Sequence, residues 1–569
     1  MAKNKRKSVC YTCGTTLRAS VIALSMLAFN GAVFAEKTQQ TNVNINAQAQ
    51  KTKVQGVVVD ANGEPLVGVI VVEDGSTNGF ITDAEGRFEL QTTTNAVLKV
   101  SYVGYNTQKV RVNGQHYIKV ELKEDSKTLN DVVVVGYGTM RKVDLAGSVA
   151  VVGNKSFKDQ PITRAADALQ GRVSGVQVEN RGIPGGAVKI RVRGTGSINK
   201  SNDPLYVVDG IVRESGLDGI NPEDIESIQI LKDASSTAIY GARGSNGVVM
   251  ITTKSGKSGN KQIVFDASVG IANVTKRYDV LSAYEYAQAL KDIKGVNDFS
   301  AEQLEAFKNG KAGIDWQNEL FRTGWTQNYK LAFSNGTDKT QYYISANYMQ
   351  QDGVIIDSNF RRYQAKANIS SQLTDWLHVS ADVNAAHNIR KGGGLTRDNG
   401  NPLWQALNYS PTLSMFAPNG LYSRDTYNSI GANPVGSLKA NKSEFMTDMF
   451  NGKLEFKFNI LKGLTFTSTN GIDYNDSKNY FLTSHLVAST NGMSNADNYR
   501  MMLQTSNTLN YNADWDKHHL NATAVYEATT SEARMMDITG KKMINEAVGW
   551  WNIASSQDRD GSNGYTKWT

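Results

Sequence analysis

Residues 131–139 read Asp-Val-Val-Val-Val-Gly-Tyr-Gly-Thr. Val132, Val133, Val134 and Val135 form an unbroken β-branched run, and such side chains fit a pleated sheet surface. Gly136 and Gly138, on either side of Tyr137, weaken any continuation of the strand. The run, opened by Asp131, admits two readings. One is an ordinary core strand. The other is a strand left unpaired so that a second chain can add to it by β-augmentation. An open apolar edge is an aggregation hazard, so a chain that keeps one needs a use for it. The flanking sequence decides between the two.

Upstream, residues 54–123 alternate short β-prone runs with turn chemistry. Gln55 to Val59 precedes an Asp60-Ala61-Asn62-Gly63 turn with Pro65. Val67 to Val72, Gly75 to Gly79 and Arg87 to Leu90 follow, then Val97 to Val103 and Tyr117 to Leu122. This spacing predicts a small β-sandwich. It resembles the carboxypeptidase-regulatory-like domain at Gly56, Asp60, Gly63, Pro65, Gly68, Thr82-Asp83, Gly86, Phe88 and Ser101-Tyr102-Val103-Gly104-Tyr105. That domain is an accessory in many proteins and implies no activity by itself.

Further upstream lie the charges. The chain has 569 residues and a formal charge of +7. Lys3, Lys5, Arg6, Lys7 and Arg18 precede an apolar run from Ala19 to Phe29, and residues 1–35 hold no acid. The rest is nearly neutral, which excludes a nucleic-acid footprint. Val33-Phe34-Ala35 supplies a small-residue cleavage site, so residues 1–35 read as a secretory signal peptide. Cys10 and Cys13 fall in the segment to be removed, so a mature chain would have no thiol for a disulfide, redox or zinc site. Residues 36–53, rich in Gln, Asn and Thr, read as a flexible leader. No later apolar run approaches a transmembrane helix, so a membrane-spanning chain would have to cross as strands.

Downstream, residues 140–256 read as a mixed α/β unit. Thr163 caps a short helix ending near Gly171. Asn221-Pro222-Glu223-Asp224 has the cap, proline and acids of a helix start. Ser235 to Tyr240 reads as one short helix stopped by Gly241. Val173 to Val178, Val188 to Arg193, Leu205 to Gly210, Ser227 to Leu231 and Gly247 to Lys254 read as strands. Ala168-Leu169-Gln170-Gly171-Arg172-Val173, Ile190-Arg191-Val192-Arg193-Gly194, Pro204 to Asp209-Gly210, and above all Asn221 to Lys254 resemble the plug of SusC/RagA-class TonB-dependent outer-membrane transporters. Tyr240-Gly241-Ala242-Arg243-Gly244-Ser245-Asn246-Gly247 is the centre of that resemblance. The order of sandwich, valine run and plug is also that of the class. The resemblance implies that residues 128–139 hold the TonB box, so the open-edge reading of the valines prevails.

From residue 257 to 569 strands lengthen and alternate, the pattern of a transmembrane β-barrel. Tyr342, Ile344, Ala346 and Tyr348 face one way, and Gln341, Tyr343, Ser345 and Asn347 the other. Leu377, Val379, Ala381 and Val383 alternate with His378, Ser380 and Asp382. Connections at 272–325, 386–445 and 477–497 read as long, and Ala283 to Lys294 and a capping box at Ser300 read as helical. About nine strands are expected. The stretch after Ala528 reads as loop, and Tyr565 to Thr569 ends no alternating strand. Plugged barrels of this kind close with about 22 strands, so the barrel is expected to be incomplete. The fold class is therefore all-β dominated: a β-sandwich, an α/β plug and part of an antiparallel barrel.

No catalytic constellation emerges. Gly194 to Ser201 lacks the glycine that a phosphate loop needs before its lysine. The six histidines show no metalloprotease spacing, and His518-His519 point to opposite faces of a strand. Neither a cofactor nor a metal is expected. Arg191 and Arg193 share a strand face and are expected to pair with barrel-wall carboxylates, with ligand contact as the alternative. The resemblance implies import of an oligosaccharide or peptide across the outer membrane, TonB pulling on residues 131–139, and a SusD-like surface lipoprotein as partner. The alternatives are a TonB-linked signalling receptor and a non-functional truncated fragment.

Overall fold

The computed structural model describes residues 51–569 except 61–62, 75, 77, 103–104, 124–131, 136–137, 142–148, 158–159, 161, 181, 260, 393–400, 429–430 and 516–517. The segment read as a signal peptide, residues 36–50 of the segment read as a leader, Cys10, Cys13, Asp131, Gly136 and Tyr137 therefore lie outside the described residues, whereas Lys51, Thr52 and Lys53, expected to belong to the flexible leader, are strand. The chain divides after Leu129 into two compact units.

In the first unit, seven strands form two sheets. β1 (Lys51–Val59) lies between β4 (Arg87–Thr93) and β7 (Tyr117–Glu121). β2 (Ile70–Glu73), β3 (Gly79–Ile81), β5 (Val97–Ser101) and β6 (Gln108–Arg111) form the other, in the order β3-β2-β5-β6. Val54, Val58, Phe88 and Leu90 of the first sheet bury against Val71, Leu98 and Val100 of the second. Gly56 has a steric cause: a Cβ there would stand 2.2 Å from the Ile118 carbonyl oxygen. β6, Gln-Lys-Val-Arg, has too few apolar residues to have been read as a strand.

The second unit opens on the valine run. β8 (Val132–Val135) pairs antiparallel with β9 (Gly138–Arg141), Val133 opposite Met140. This corrects two expectations: the run is not left unpaired, and Gly138 begins a strand rather than ending one. The cause is that Gly138–Arg141 supplies an antiparallel ladder partner for each valine. The hairpin is a separate two-stranded sheet, so among the described strands β8 keeps one edge without a partner.

The plug follows. β10 (Val149–Gly153), β13 (Leu205–Val208), β14 (Ile211–Arg213), β15 (Ile225–Leu231) and β16 (Val248–Thr253) form one sheet in the order β10-β15-β16-β13-β14. β11 (Val176–Asn180) and β12 (Val188–Val192) make a hairpin beside it. Leu169, Ile190, Ile228, Ile230, Val249 and Ile251 form its core. Asn221 does cap, its side chain accepting from Glu223 N, but only a single 3-10 turn, Pro222–Asp224, results. The buried Ile225 to Leu231 strand takes the chain over at once, so core burial overrides the helix signal.

Ten antiparallel strands complete the unit, each paired to the next: β17 (Gln262–Ala272), β18 (Gly324–Gly336), β19 (Thr340–Asp352), β20 (Asn359–Thr374), β21 (Leu377–Lys391), β22 (Lys442–Leu461), β23 (Leu464–Thr483), β24 (Gly492–Trp515), β25 (His518–Met543) and β26 (Ser556–Trp568). Ile344 and Tyr363 face outward, exposed, while Tyr343, Ser345 and Lys366 are buried against the plug. Helices Ala283–Lys294 and Ala301–Lys308 each carry a complete capping box. Three expectations are corrected. There are ten strands, not nine. After Ala528, the rest of β25 to Met543 and all of β26, Tyr565 to Trp568 included, are strand, because β24 and β25 supply ladder partners for residues poor in apolar alternation, while residues 544–555 remain outside the sheet. The 477–497 connection shrinks to 484–491, because β23 and β24 extend into it. Short and long connections alternate along the sheet, as in outer-membrane barrels.

Candidate functional site

The plug meets the inner sheet face through carboxylates. Pro222 sets the turn that presents Asp224 at the head of β15. Its carboxylate accepts from Tyr343 Oη at 2.7 Å and Ser345 Oγ at 3.1 Å, and Lys330 Nζ lies 2.9 Å away. Lys330 also donates to the Glu223 carbonyl at 2.8 Å, and Asn328 donates to the Glu223 carboxylate at 2.7 Å. Burial pushes the Glu223 carboxyl up, with Lys330 opposing.

A second knot runs the other way, from wall to plug. Asp473 of β23 accepts from Glu214 N at 3.1 Å and from Ser215 Oγ at 3.0 Å, and Arg213 Nε stands 3.7 Å off. Burial pulls the Arg213 guanidinium below its usual range, with Asp473 opposing. A third knot gathers Lys366 between Asp382 at 2.5 Å and Asp209 at 4.0 Å. Asp209 and Gly210 both have positive φ, 50° and 88°, the backbone of a tight type I′ hairpin between β13 and β14. The Asp209 carboxylate ties that hairpin to Thr253 N at 2.9 Å and Thr253 Oγ1 at 2.6 Å. Removing one member of such a buried pair costs about 3–5 kcal/mol, although the pair itself adds little over an apolar contact. These knots therefore fix where the plug sits.

The remaining sequence-predicted plug residues do mostly structural work. Arg191 pairs with Asp203 at 2.6 Å and Arg193 with Asp233 at 2.5 Å, both inside the plug. That corrects the expectation of wall carboxylates. Arg193 lies past the end of β12 with φ 58°, so the two arginines do not share a strand face. Gly194 takes φ 92°. Tyr240 is buried with Met250 and Met502. Gly241, at φ 56°, leaves the helical region and stops the helical run through Tyr240 where expected, although that run is α only from Ala234 to Thr237 and 3-10 after it. At Gly244 a Cβ would lie 2.9 Å from the Thr237 carbonyl oxygen. At Gly247, φ 88°, it would lie 3.0 Å from Val192. Arg243 also reaches the wall, bonding Glu527 of β25.

Sequence reading missed Asp224, Lys330 and Asp473 as a set. The available signal was a charge placed on the inward phase of an alternating strand. It also missed a cavity of about 730 Å³ enclosed by the plug and the long-loop halves of the wall strands. Arg164, Ser215 and Asp218 line it from the plug, and Arg362, Arg390 and Asn388 are among its wall residues. Asp218 opens onto this cavity, yet protein encloses it on the cavity's scale. That burial raises its carboxyl, with Arg213, Arg164, Arg362 and Arg390 opposing.

Comparison with known proteins places these features. Residues 141–248 match the TonB-dependent Receptor Plug Domain, and residues 54–134 match the CarboxypepD_reg-like domain. TonB-dependent receptor P3 of Formosa agariphila is 34% identical over 89% of this chain and 50% of its own length. TonB-dependent receptor SusC of Bacteroides thetaiotaomicron is 35% identical over 76% of this chain and 45% of its own length. The solved RagAB peptide transporter superposes with TM-score 0.64 at 25% identity, over 74% of this chain and 52% of that one. The chain thus spans about half the length of the curated relatives it matches. By its plug, its accessory domain, its outward-apolar sheet and these relatives, the chain belongs to the SusC/RagA class of TonB-dependent outer-membrane β-barrel receptors.

Proposed function

We propose that the chain serves TonB-dependent import of an oligosaccharide or peptide across the outer membrane. TonB pairs with the open edge of the Val132–Val135 strand and pulls, and the plug leaves its seat in part. The observation that carries this reading is the character of that seat. Plug and wall meet through discrete ion-paired knots at Asp224, Asp209 and Asp473, which hold one position well and part as units. A SusD-like lipoprotein covers the extracellular mouth in this reading, in keeping with the SusC and RagAB relatives. The test is binding of the purified C-terminal domain of TonB to the full chain. The reading expects binding that is lost when Val133 becomes Pro, which fixes φ and removes a backbone donor. Equal binding by both forms would refute the assignment of the strand.

A further inference from the structure

The cavity between plug and wall carries a charge imbalance. Five arginines line it, Arg164, Arg362, Arg390, Arg500 and Arg534, against two carboxylates, Asp218 and Asp473. Asp473 is already taken up by the Ser215 hydroxyl and the Glu214 amide. Arg164, Arg500 and Arg534 each have an acid partner, at Asp167, Glu214 and Glu532. The other two do not. Arg362 is 4% exposed, bonds only the Thr163 carbonyl and Asn347 Oδ1 among the described residues, and leaves its Nε unpartnered. Arg390 makes no ion pair or hydrogen bond among the described residues. Its guanidinium carbon lies over the Phe445 ring, 4.0 Å from the centroid.

A cation–π contact of this kind holds a guanidinium in place without using its N–H donors, and a guanidinium with free donors takes a carboxylate bidentately. One carboxylate, Asp218, faces both and is shared with Arg164 and Arg213, so the pair carries more positive charge than that acid offsets; such a surplus is costly to bury and marks a place where an anion arrives from outside. The uncharged lining points to the kind of molecule. Asn388, Asn475, Asn479 and Asn498 offer paired donors and acceptors, and Asn388 Oδ1 is buried without a partner. Phe360 and Tyr499 add ring surface. Dense short amides with ring faces suit a molecule that presents many hydroxyls and flat C–H faces.

We propose that this cavity binds an acidic oligosaccharide, its carboxylates held by Arg390 and Arg362 and its hydroxyls by the asparagines. The proposal rests on the import reading and narrows the cargo. Tests use the purified full chain in detergent, with calorimetry of trigalacturonate, its methyl ester and triglutamate. Trigalacturonate should bind at least about tenfold more tightly than the ester, with an advantage that shrinks as salt rises. Arg390→Gln should abolish that preference and Arg390→Lys should restore it in part. An ester that binds as tightly as the acid, or triglutamate that binds more tightly than trigalacturonate, would overturn the proposal. The comparison of acid with ester on the unaltered chain stands even where a variant fails to fold. Uptake by energised cells is read separately. Acid-selective binding without TonB-dependent uptake removes the import reading and leaves the site. Uptake of the ester in preference to the acid removes the site and leaves import.

Discussion

Asp224 is the residue on which the plug's seat depends most. It and Lys330 are each buried, and Tyr343 and Ser345 donate to the same carboxylate. Asp224→Ala leaves the Lys330 ammonium unpaired and should loosen the plug by about 3–5 kcal/mol. Adding Lys330→Met should recover most of that loss, because a well-packed apolar replacement of a buried pair is close to neutral. Urea-dependent proteolysis of the plug measures both. A double variant no more stable than the single one would show that the ion pair is not the main contact. At this scale the sequence was legible where backbone conformation dictates the residue, as at Asp209-Gly210 and Gly247. It was not legible where the partner is distant in the chain. Asp224 meets Lys330 and Tyr343 only after the fold is complete, and no local pattern links them.

At the scale of elements, alternation carried the reading furthest. Residues 341–348 divide into outward and inward sets as their sequence suggests, because a period of two puts successive side chains on opposite faces. The capping box expected at Ser300 held because it is closed within four residues, and the Ala283–Lys294 helix carries one too, at Ser282. The part of β25 after Ala528 and the whole of β26 escaped because they are poor in apolar alternation; β25 is held by its pairing to β24, and β26 by its pairing to β25. The outward phase makes a prediction. Val383 is 38% exposed on the outer face of β21, whereas Asn388 on the same strand lines the cavity. Val383→Arg should cost about 2–4 kcal/mol if it sits near the bilayer midplane, and Asn388→Arg should be tolerated. Ser380, on the inward phase of the same strand, is buried, so an arginine there would not be mild. Heat-modifiability of membrane-assembled variants reads the difference, and equal yields for Val383→Arg and Asn388→Arg would contradict this facing.

On the scale of the whole molecule, the plug lies against a ten-strand sheet and the valine hairpin precedes the plug. The order of these parts was legible because each has its own period or turn chemistry. The cavity was not, because its arginines come from strands far apart in sequence and become neighbours only in the folded sheet. The proposed import would join these parts: cargo held in the cavity, the plug fixed by ion-paired knots, and a strand at its N-terminal side for TonB to grip. The most direct measurement is energised uptake of bound cargo by cells carrying Val133→Pro, alongside surface binding of the same cargo. The account predicts that uptake falls to background while binding stays intact. Undiminished uptake, or loss of binding together with uptake in a variant that assembles normally, would contradict it.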